Sequence, residues 1–204
     1  MNVQYGCGLC CPPGWVNYDA SPTLRLQKIP FLGRWITHGR VHFPKEVKYG
    51  DIVKGLPVKK DSCDMVYCSH VLEHLSLNDL RTALKNTYQI LNDGGVFRLV
   101  LPDFEFCIRE YVDDKSDGSL LKFFRDTDLG LTHRSRGVLA AMLSNFANSR
   151  HFWMWDYKGL ARELNDVGFK KVRRAYYGDS ELQEFVAVET KDRWFNQLGI
   201  ECVK

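Results

Sequence analysis

The segment from Asp64 to Pro102 constrains the fold of this chain more than any other part of it. A short apolar run, residues 65–68, opens the segment, and a second apolar run, residues 96–101, closes it. Between them, apolar residues recur at the spacing of one helix face: Leu80, Leu84, Tyr88 and Leu91. The following Asn92-Asp93-Gly94-Gly95 is predicted to stop that helix. A strand, a helix and a parallel strand form a right-handed crossover, so we predict an α/β sheet.

The residues of this segment also resemble a known family. Residues 68–75 read CSHVLEHL, residues 91–95 read LNDGG, and Leu101-Pro102-Asp103 ends the second apolar run. This order of motifs resembles the class I S-adenosylmethionine-dependent methyltransferases, type 11-like. The opening, with GCG at residues 6–8 and PGW at residues 13–15, is similar to a smaller branch of them, several of which occur beside polysaccharide biosynthesis proteins.

The resemblance implies a Rossmann-like fold of three layers, α/β/α, with a seven-stranded, mostly parallel sheet and a C-terminal antiparallel hairpin. The strands are expected at residues 2–5, 15–18, 46–49, 65–68, 96–101, 169–177 and 182–189. A short turn at residues 178–181 predicts that the last two pair as the hairpin. We expect a single methyltransferase domain over residues 1–204, with a helical insertion or lid at about 104–150. Asp156 is expected to cap the helix that follows.

The resemblance also implies where S-adenosyl-L-methionine binds. The loop after the first strand faces the methionine and ribose of the cofactor in that family, and Tyr5, Gly6, Cys7 and Gly8 stand there. Asp19 is expected to accept from the ribose hydroxyls and Asp51 from the adenine amino group. Ile52 would lie against the adenine ring, and Ser69 would line the floor near the sulfonium methyl.

This loop departs from the family pattern in one respect. The third glycine is replaced by Cys10, and no full helix fits before Trp15. Asp19 and Asp51 can alternatively be ordinary turn residues. A nicotinamide cofactor is disfavoured, because its acidic residue comes about 20 residues after the glycines, whereas Asp19 follows Gly8 by 11 positions.

Three residues are candidates for catalysis, since an oxygen acceptor needs a base that takes its proton. They are His70, His151 and Asp103; His151 can equally be a packed residue among aromatics. The pattern His70-x-x-Glu73-His74 also matches inverted zinc peptidases, which place it on a long helix. A structural zinc at Cys7, Cys10 and Cys11 is disfavoured, because a closed zinc site needs four ligands. We expect a metal-independent enzyme with no metal ligands.

The remaining expectations concern partners and location. A net charge of +3 is too small by itself to indicate nucleic acid. The resemblance implies a small-molecule or glycan-precursor acceptor. Basic residues between Arg25 and Lys48 either attract an anionic acceptor or form a solvated face. No apolar stretch reaches the roughly 18 residues of a membrane helix, and a cytoplasmic protein with reduced thiols is expected. Oligomeric state stays open. The alternative function is a non-catalytic module that keeps the fold.

Overall fold

The computed structural model describes residues 1–29, 42–130 and 150–204. The described residues form one seven-stranded sheet in the order β3-β2-β1-β4-β5-β7-β6. Its strands are β1 (Asn2–Tyr5), β2 (Trp15–Asp19), β3 (Lys48–Tyr49), β4 (Cys63–Ser69), β5 (Leu91–Pro102), β6 (Lys170–Ala175) and β7 (Gln197–Val203). Strands β1 to β5 pair in parallel, and β7 is antiparallel to both β5 and β6. The predicted mostly parallel Rossmann-like sheet is confirmed.

Six helices are present in the described ranges. They are α1 (Pro22–Gln27), α2 (Leu77–Ile90), α3 (Phe104–Asp113), α4 (Ser119–Asp126), α5 (Tyr157–Val167) and α6 (Lys191–Trp194), with 3-10 turns at Leu72–His74 and Gln183–Ala187. The N-caps follow the expected chemistry: the Ser76 and Asp156 side chains accept from backbone amides of the first turns of α2 and α5. No helix of the described residues is long and apolar enough to cross a membrane.

Strand β4 shows how the sheet divides two cores. Val66 and Cys68 face one side, where they pack with the buried residues of α2 and α5, such as Leu84 and Leu160. Met65 and Tyr67 face the other side, because successive side chains of a strand point in opposite directions. The predicted use of Cys63 and Cys68 as small core residues is confirmed, since both are buried.

The second strand of the C-terminal hairpin was predicted at the wrong place. Residues 182–189 form a 3-10 turn, Gln183–Ala187, and the partner of β6 is β7, Gln197–Val203. The spacing of Leu182, Phe185 and Val188 explains the difference, because a 3-10 helix repeats every three residues. Phe185 packs on Trp15, with ring centroids 5.7 Å apart. The connection between β6 and β7 therefore covers the second face of the sheet.

Two boundaries also differ from the prediction. Helix α2 ends at Ile90, and Asn92 to Gly95 lie within β5, opposite a shift in the register of β4. Gly94 has a φ of 77°, so the segment forms a bulge rather than a helix stop. Leu91 consequently belongs to the strand, not to the helix face. Strand β3 has two residues where four were predicted.

The helical region predicted at about 104–150 is described in part. Helices α3 and α4 lie within it, and the predicted helix at 138–146 lies outside the described residues. Residues 30–41, the middle of the basic segment between Arg25 and Lys48, also lie outside them.

Candidate cofactor and acceptor site

A glycine bend follows β1 at the carboxyl edge of the sheet. Gly6 and Gly8 have φ values of 68° and 55°, in the left-handed region that favours glycine. A Cβ on Gly6 would lie 2.0 Å from Cγ2 of Val71, so no side chain fits there. Residues 6–14 contain no helix. The bend therefore passes directly from β1 toward β2 without a helix.

Asp19 meets this bend at the end of β2. Its Oδ2 accepts a hydrogen bond from the Gly8 amide at 3.0 Å, and its Oδ1 accepts one from the Ser21 amide at 2.7 Å. The residue is 9% exposed. A carboxylate offers about four lone-pair positions, so two remain for a ligand. Two residues predicted to share one site are thus in direct contact.

Asp51 and Ile52 follow β3, the neighbour of β2. Oδ1 of Asp51 accepts from the Val53 amide at 3.0 Å, which closes a turn at this point. Ile52 is buried in the main core, and its backbone carbonyl accepts a hydrogen bond from the side-chain Nδ2 of Asn86 at 2.7 Å. Asp51 therefore stands at the same sheet edge as Asp19, whereas most of the Ile52 side chain is used for packing.

Tyr5 and Cys7 contribute backbone rather than side chains to the bend. The Tyr5 hydroxyl is hydrogen-bonded to Oγ1 of Thr87 at 3.2 Å inside the core, and burial raises its pKa well above the usual range. Burial, together with the negative charge of Asp19, raises the pKa of the Cys7 thiol to about 12. Cys7 is therefore a neutral thiol and a poor nucleophile at neutral pH.

Ser69 ends β4 and is held by a residue that the sequence patterns did not indicate. Arg193 donates from Nε to Oγ of Ser69 at 2.7 Å and from its Nη2 to the Ser69 carbonyl at 2.9 Å. Arg193 is exposed and belongs to α6 in the connection between β6 and β7. It brings a positive charge to the edge of the candidate acceptor site.

His70 follows Ser69 in a left-handed conformation, with a φ of 53°. Its amide donates to the Val100 carbonyl at 2.9 Å, and its Nε2 lies 3.1 Å from the Arg193 carbonyl. The 3-10 turn begins only at Leu72, so His70 and His74 do not share one long helix. The geometry that the zinc peptidase pattern requires is not formed.

Glu73 lies at the centre of three histidines. Its side chain is 1% exposed, and its Oε1 is 3.3 Å from Nδ1 of His70 and 3.9 Å from Nε2 of His74. The ring of His151 lies 5.0 Å from that of His74, centroid to centroid. The amides of Phe152 and Trp153 donate to the Glu73 carbonyl at 2.8 and 3.2 Å. His70 and His151, predicted separately, thus face one buried carboxylate.

Asp103 caps α3 and is buried. Its Oδ1 accepts from the Glu105 and Phe106 amides at 3.0 and 3.3 Å, and its Oδ2 accepts from Nη1 of Arg174 at 3.0 Å. These three bonds give the Asp103 carboxylate a structural role at the start of α3. Its assignment to catalysis stays a prediction.

A cavity of about 670 Å³ lies at the other end of the sheet, by the starts of β4 and β5. Lys171, Arg173, Asp179 and Glu201 are among its lining residues. Ligands of open α/β sheets bind outside the carboxyl ends of the strands, at a point where the strand order reverses. That point here is the crevice between β1 and β4, and we place the functional site there.

Comparisons with known proteins identify the family and the fold. A family model described as a methyltransferase domain matches residues 12–174. No curated protein sequence matches the chain. An S-adenosylmethionine-dependent methyltransferase from Archaeoglobus fulgidus is similar in structure, with a TM-score of 0.52, 16% identity, and coverage of 100% of this chain and 85% of that one. A possible histamine N-methyltransferase from Thermotoga maritima is also similar in structure, with a TM-score of 0.51 and 18% identity. The match covers 100% of this chain and 82% of that one.

Proposed function

The chain belongs to the methyltransferase-domain family, with S-adenosylmethionine as its cofactor, and we propose that it transfers the methyl group to an oxygen atom of a small-molecule or glycan-precursor acceptor. One observation carries the proposal: the hydrogen bond from the Gly8 amide to Oδ2 of Asp19, at 3.0 Å. It joins the glycine bend after β1 to a carboxylate at the end of β2, next to the reversal of strand order between β1 and β4.

The residues of this crevice match the chemistry of an adenosyl group. The two remaining lone-pair positions of the Asp19 carboxylate suit two vicinal ribose hydroxyls, and hydrogen bonds to a charged acceptor are the stronger kind. Gly6 and Gly8 carry no Cβ, so the backbone of the bend can approach the proposed methionine portion closely. Asp51 stands one strand further along, where the adenine amino group is proposed to donate.

Methyl transfer is an in-line displacement at a carbon bound to a positive sulfur, so bond breaking itself needs no metal ion. The protein mainly has to align the acceptor, and alignment supplies up to about 7–11 kcal/mol. An oxygen acceptor loses a proton, and His70 is proposed as the base. His151 is the second candidate for this role, on the facing segment.

The acceptor class is proposed from the surroundings of His70 and His151. Phe152 and Trp153 are exposed beside this cluster and present flat apolar faces, as sugar rings require. Arg193 adds a cation at the same edge. A glycan precursor bearing an anionic group therefore fits best. A cytoplasmic location is part of the proposal, and it suits seven cysteines that are all free thiols.

A second candidate function rests on the missing helix between β1 and β2. Without it, the cofactor lacks a helix N-terminus beside it, which favours a module of the same fold with low cofactor affinity and no transfer activity.

Calorimetric titration with S-adenosylmethionine and S-adenosylhomocysteine separates the two. We expect a 1:1 complex, weakened about 10- to 100-fold by Asp19→Asn, because a hydrogen bond to a charged group contributes about 1.5–3 kcal/mol. Asp166→Asn, in an exposed part of α5, is the matched control and should bind as the parent protein does. Absence of binding, or equal affinity of Asp19→Asn and the parent, contradicts the proposed site.

The acceptor is tested by release of S-adenosylhomocysteine with panels of glycan, phenol and carboxylate acceptors. Turnover with a hydroxyl acceptor, lost in His70→Ala while cofactor affinity is retained, supports the enzyme. Tight cofactor binding without turnover on any panel supports the non-catalytic module instead.

A further inference from the structure

The side chains of Glu73, His74 and His151 converge, and the methyl transfer proposed above gives a role only to His151. Each offers one metal-ligating atom, and these atoms lie within 4.8 Å of one another. Glu73 and His74 belong to the turn after β4, whereas His151 belongs to the segment before α5. Two stretches of chain separated by more than 70 residues therefore meet at one buried carboxylate.

The hydrogen bonds of His74 and His151 fix which ring nitrogens carry protons. Nδ1 of His74 is 2.7 Å from the Arg150 carbonyl, and Nδ1 of His151 is 2.8 Å from the Thr127 carbonyl. A carbonyl oxygen only accepts, so each Nδ1 donates. In the neutral rings each Nε2 is then left as a lone pair, and that of His74 lies 3.9 Å from Oε1 of Glu73.

His70 repeats this arrangement with its nitrogens exchanged. Its Nε2 donates to the Arg193 carbonyl at 3.1 Å, which leaves the lone pair on Nδ1, 3.3 Å from Oε1 of Glu73. In these tautomers the lone pairs of His70 and His74 face Oε1 of Glu73. Among the residues that the structure describes, neither carboxylate oxygen of Glu73 has a hydrogen-bond partner. A buried carboxyl group without a hydrogen-bond partner is costly, and a cation bound between it and the histidines would satisfy it.

We propose that Glu73, His74 and His151 bind a divalent transition-metal cation of the Zn²⁺ type. Imidazole nitrogen and carboxylate oxygen are ligands of such ions. Metal-bound histidines almost always donate their other N–H to a carbonyl or carboxylate, as His74 and His151 do here. Two ligand atoms that are each about 2.1 Å from an ion lie at most about 4.2 Å apart. The ligating atoms here lie within 4.8 Å of one another, so a small rotation of the histidine rings would bring all three to coordination distance.

The cation would fasten the segment at residues 150–153 to the turn after β4. The Phe152 and Trp153 amides already hold that segment to the Glu73 carbonyl. Three protein ligands leave a coordination position for water or for an oxygen of the acceptor. The site rests on these side chains alone and does not depend on the proposed methyl transfer.

The test uses the full chain, freed of metal with a chelator and titrated with ZnCl₂ in a calorimeter and with Co²⁺ by visible absorption. We expect one site per chain with the Co²⁺ bands of nitrogen and oxygen ligands. His151→Ala and Glu73→Gln should each weaken binding at least about 100-fold, the upper range for loss even of an outer-shell partner. His42→Ala, at an exposed histidine outside the cluster, should bind as the parent does.

Because Glu73 is buried, Glu73→Gln can fail to fold, so thermal unfolding with and without Zn²⁺ accompanies the titration. Stabilisation by Zn²⁺ in the parent that is lost in His151→Ala supports the site. The proposal is overturned if Zn²⁺ and Co²⁺ bind no better than to His151→Ala. It is also overturned if nitrogen NMR shows His74 or His151 doubly protonated opposite Glu73 in the presence of Zn²⁺. Cofactor titration of the same metal-free protein reports on the proposed function separately.

Discussion

Replacement of Arg98 by methionine is expected to destabilise the fold strongly. Arg98 lies on β5 with its side chain 0% exposed and donates from Nε to Glu189, whose side chain is 1% exposed. Its Nη1 donates to Glu201 at 3.0 Å, its Nη2 donates to the Tyr176 carbonyl at 2.7 Å, and its guanidinium lies 4.5 Å from the Trp194 ring centroid. This network anchors the connection between β6 and β7 to the sheet.

The magnitude follows from what Arg98→Met leaves behind. Glu189 keeps one hydrogen bond, from the Gly178 amide at 3.0 Å, and otherwise becomes an unpaired buried carboxylate. Removal of one partner of a buried ion pair costs about 3–5 kcal/mol. With an unfolding entropy of about 2.1 cal/mol/K per residue over 204 residues, the melting temperature should fall by about 7–12 °C.

The assay is equilibrium unfolding in urea, with the double variant Arg98→Met/Glu189→Leu beside the single one. An apolar pair often replaces a buried ion pair at little cost, so the double variant should recover most of the loss. Arg109→Met, which breaks an exposed pair with Glu105, is the control and should change the free energy of unfolding by less than about 1 kcal/mol. A single variant that loses less than about 1 kcal/mol, or a double variant that loses more than the single, refutes the reasoning.

Three further changes have expected outcomes. Gly6→Ala should lower the free energy of unfolding in urea by about 1–3 kcal/mol more than Gly14→Ala does. Both glycines have a positive φ, but only at Gly6 would the new Cβ clash, with Val71. Equal losses in the two variants contradict the close approach of Val71 to Gly6. Phe185→Ala should lower the free energy of unfolding by about 3–5 kcal/mol, whereas Val186→Ala, at the exposed neighbouring residue, should change it little. Similar losses in the two variants would mean that the 3-10 turn does not cover the second core. Burial raises the pKa of Cys7 to about 12 and that of Cys202 well above its usual range. These thiols therefore stay protonated in the folded protein, whereas thiols of the unfolded chain ionise near 9.0. Because the unfolded state then loses protons that the folded state keeps, the midpoint of urea unfolding should fall as the pH rises above about 9. A midpoint unchanged between pH ~7.5 and ~10 excludes this linkage.

The sequence predicted those parts of the fold that depend on short-range patterns. Strands β1, β2 and β4 and the capped helix α5 were found because alternation, apolar runs and the Asp156 cap are local signals. The same holds for the glycine bend and Asp19, which follow strand ends in order along the chain.

The rest depended on long-range contacts. Arg193 is 124 residues from Ser69, and no spacing rule connects them. The strand predicted at residues 182–189 was wrong because the segment was taken to alternate apolar and polar residues, whereas Leu182, Phe185 and Val188 recur every three residues. The meeting of Glu73 with His151 likewise required the position of the segment before α5.

The cover of the second sheet face has a consequence for synthesis on the ribosome. Trp15 and Tyr67 emerge early, yet Phe185 and Trp194, which shield them, are made more than 110 residues after Tyr67. Closure at such sequence separation is slow, because the loop entropy is lost before the contact forms. Until Trp194 has been made, the nascent chain therefore lacks the cover of two large aromatic rings, and such exposed apolar surface favours aggregation and chaperone binding.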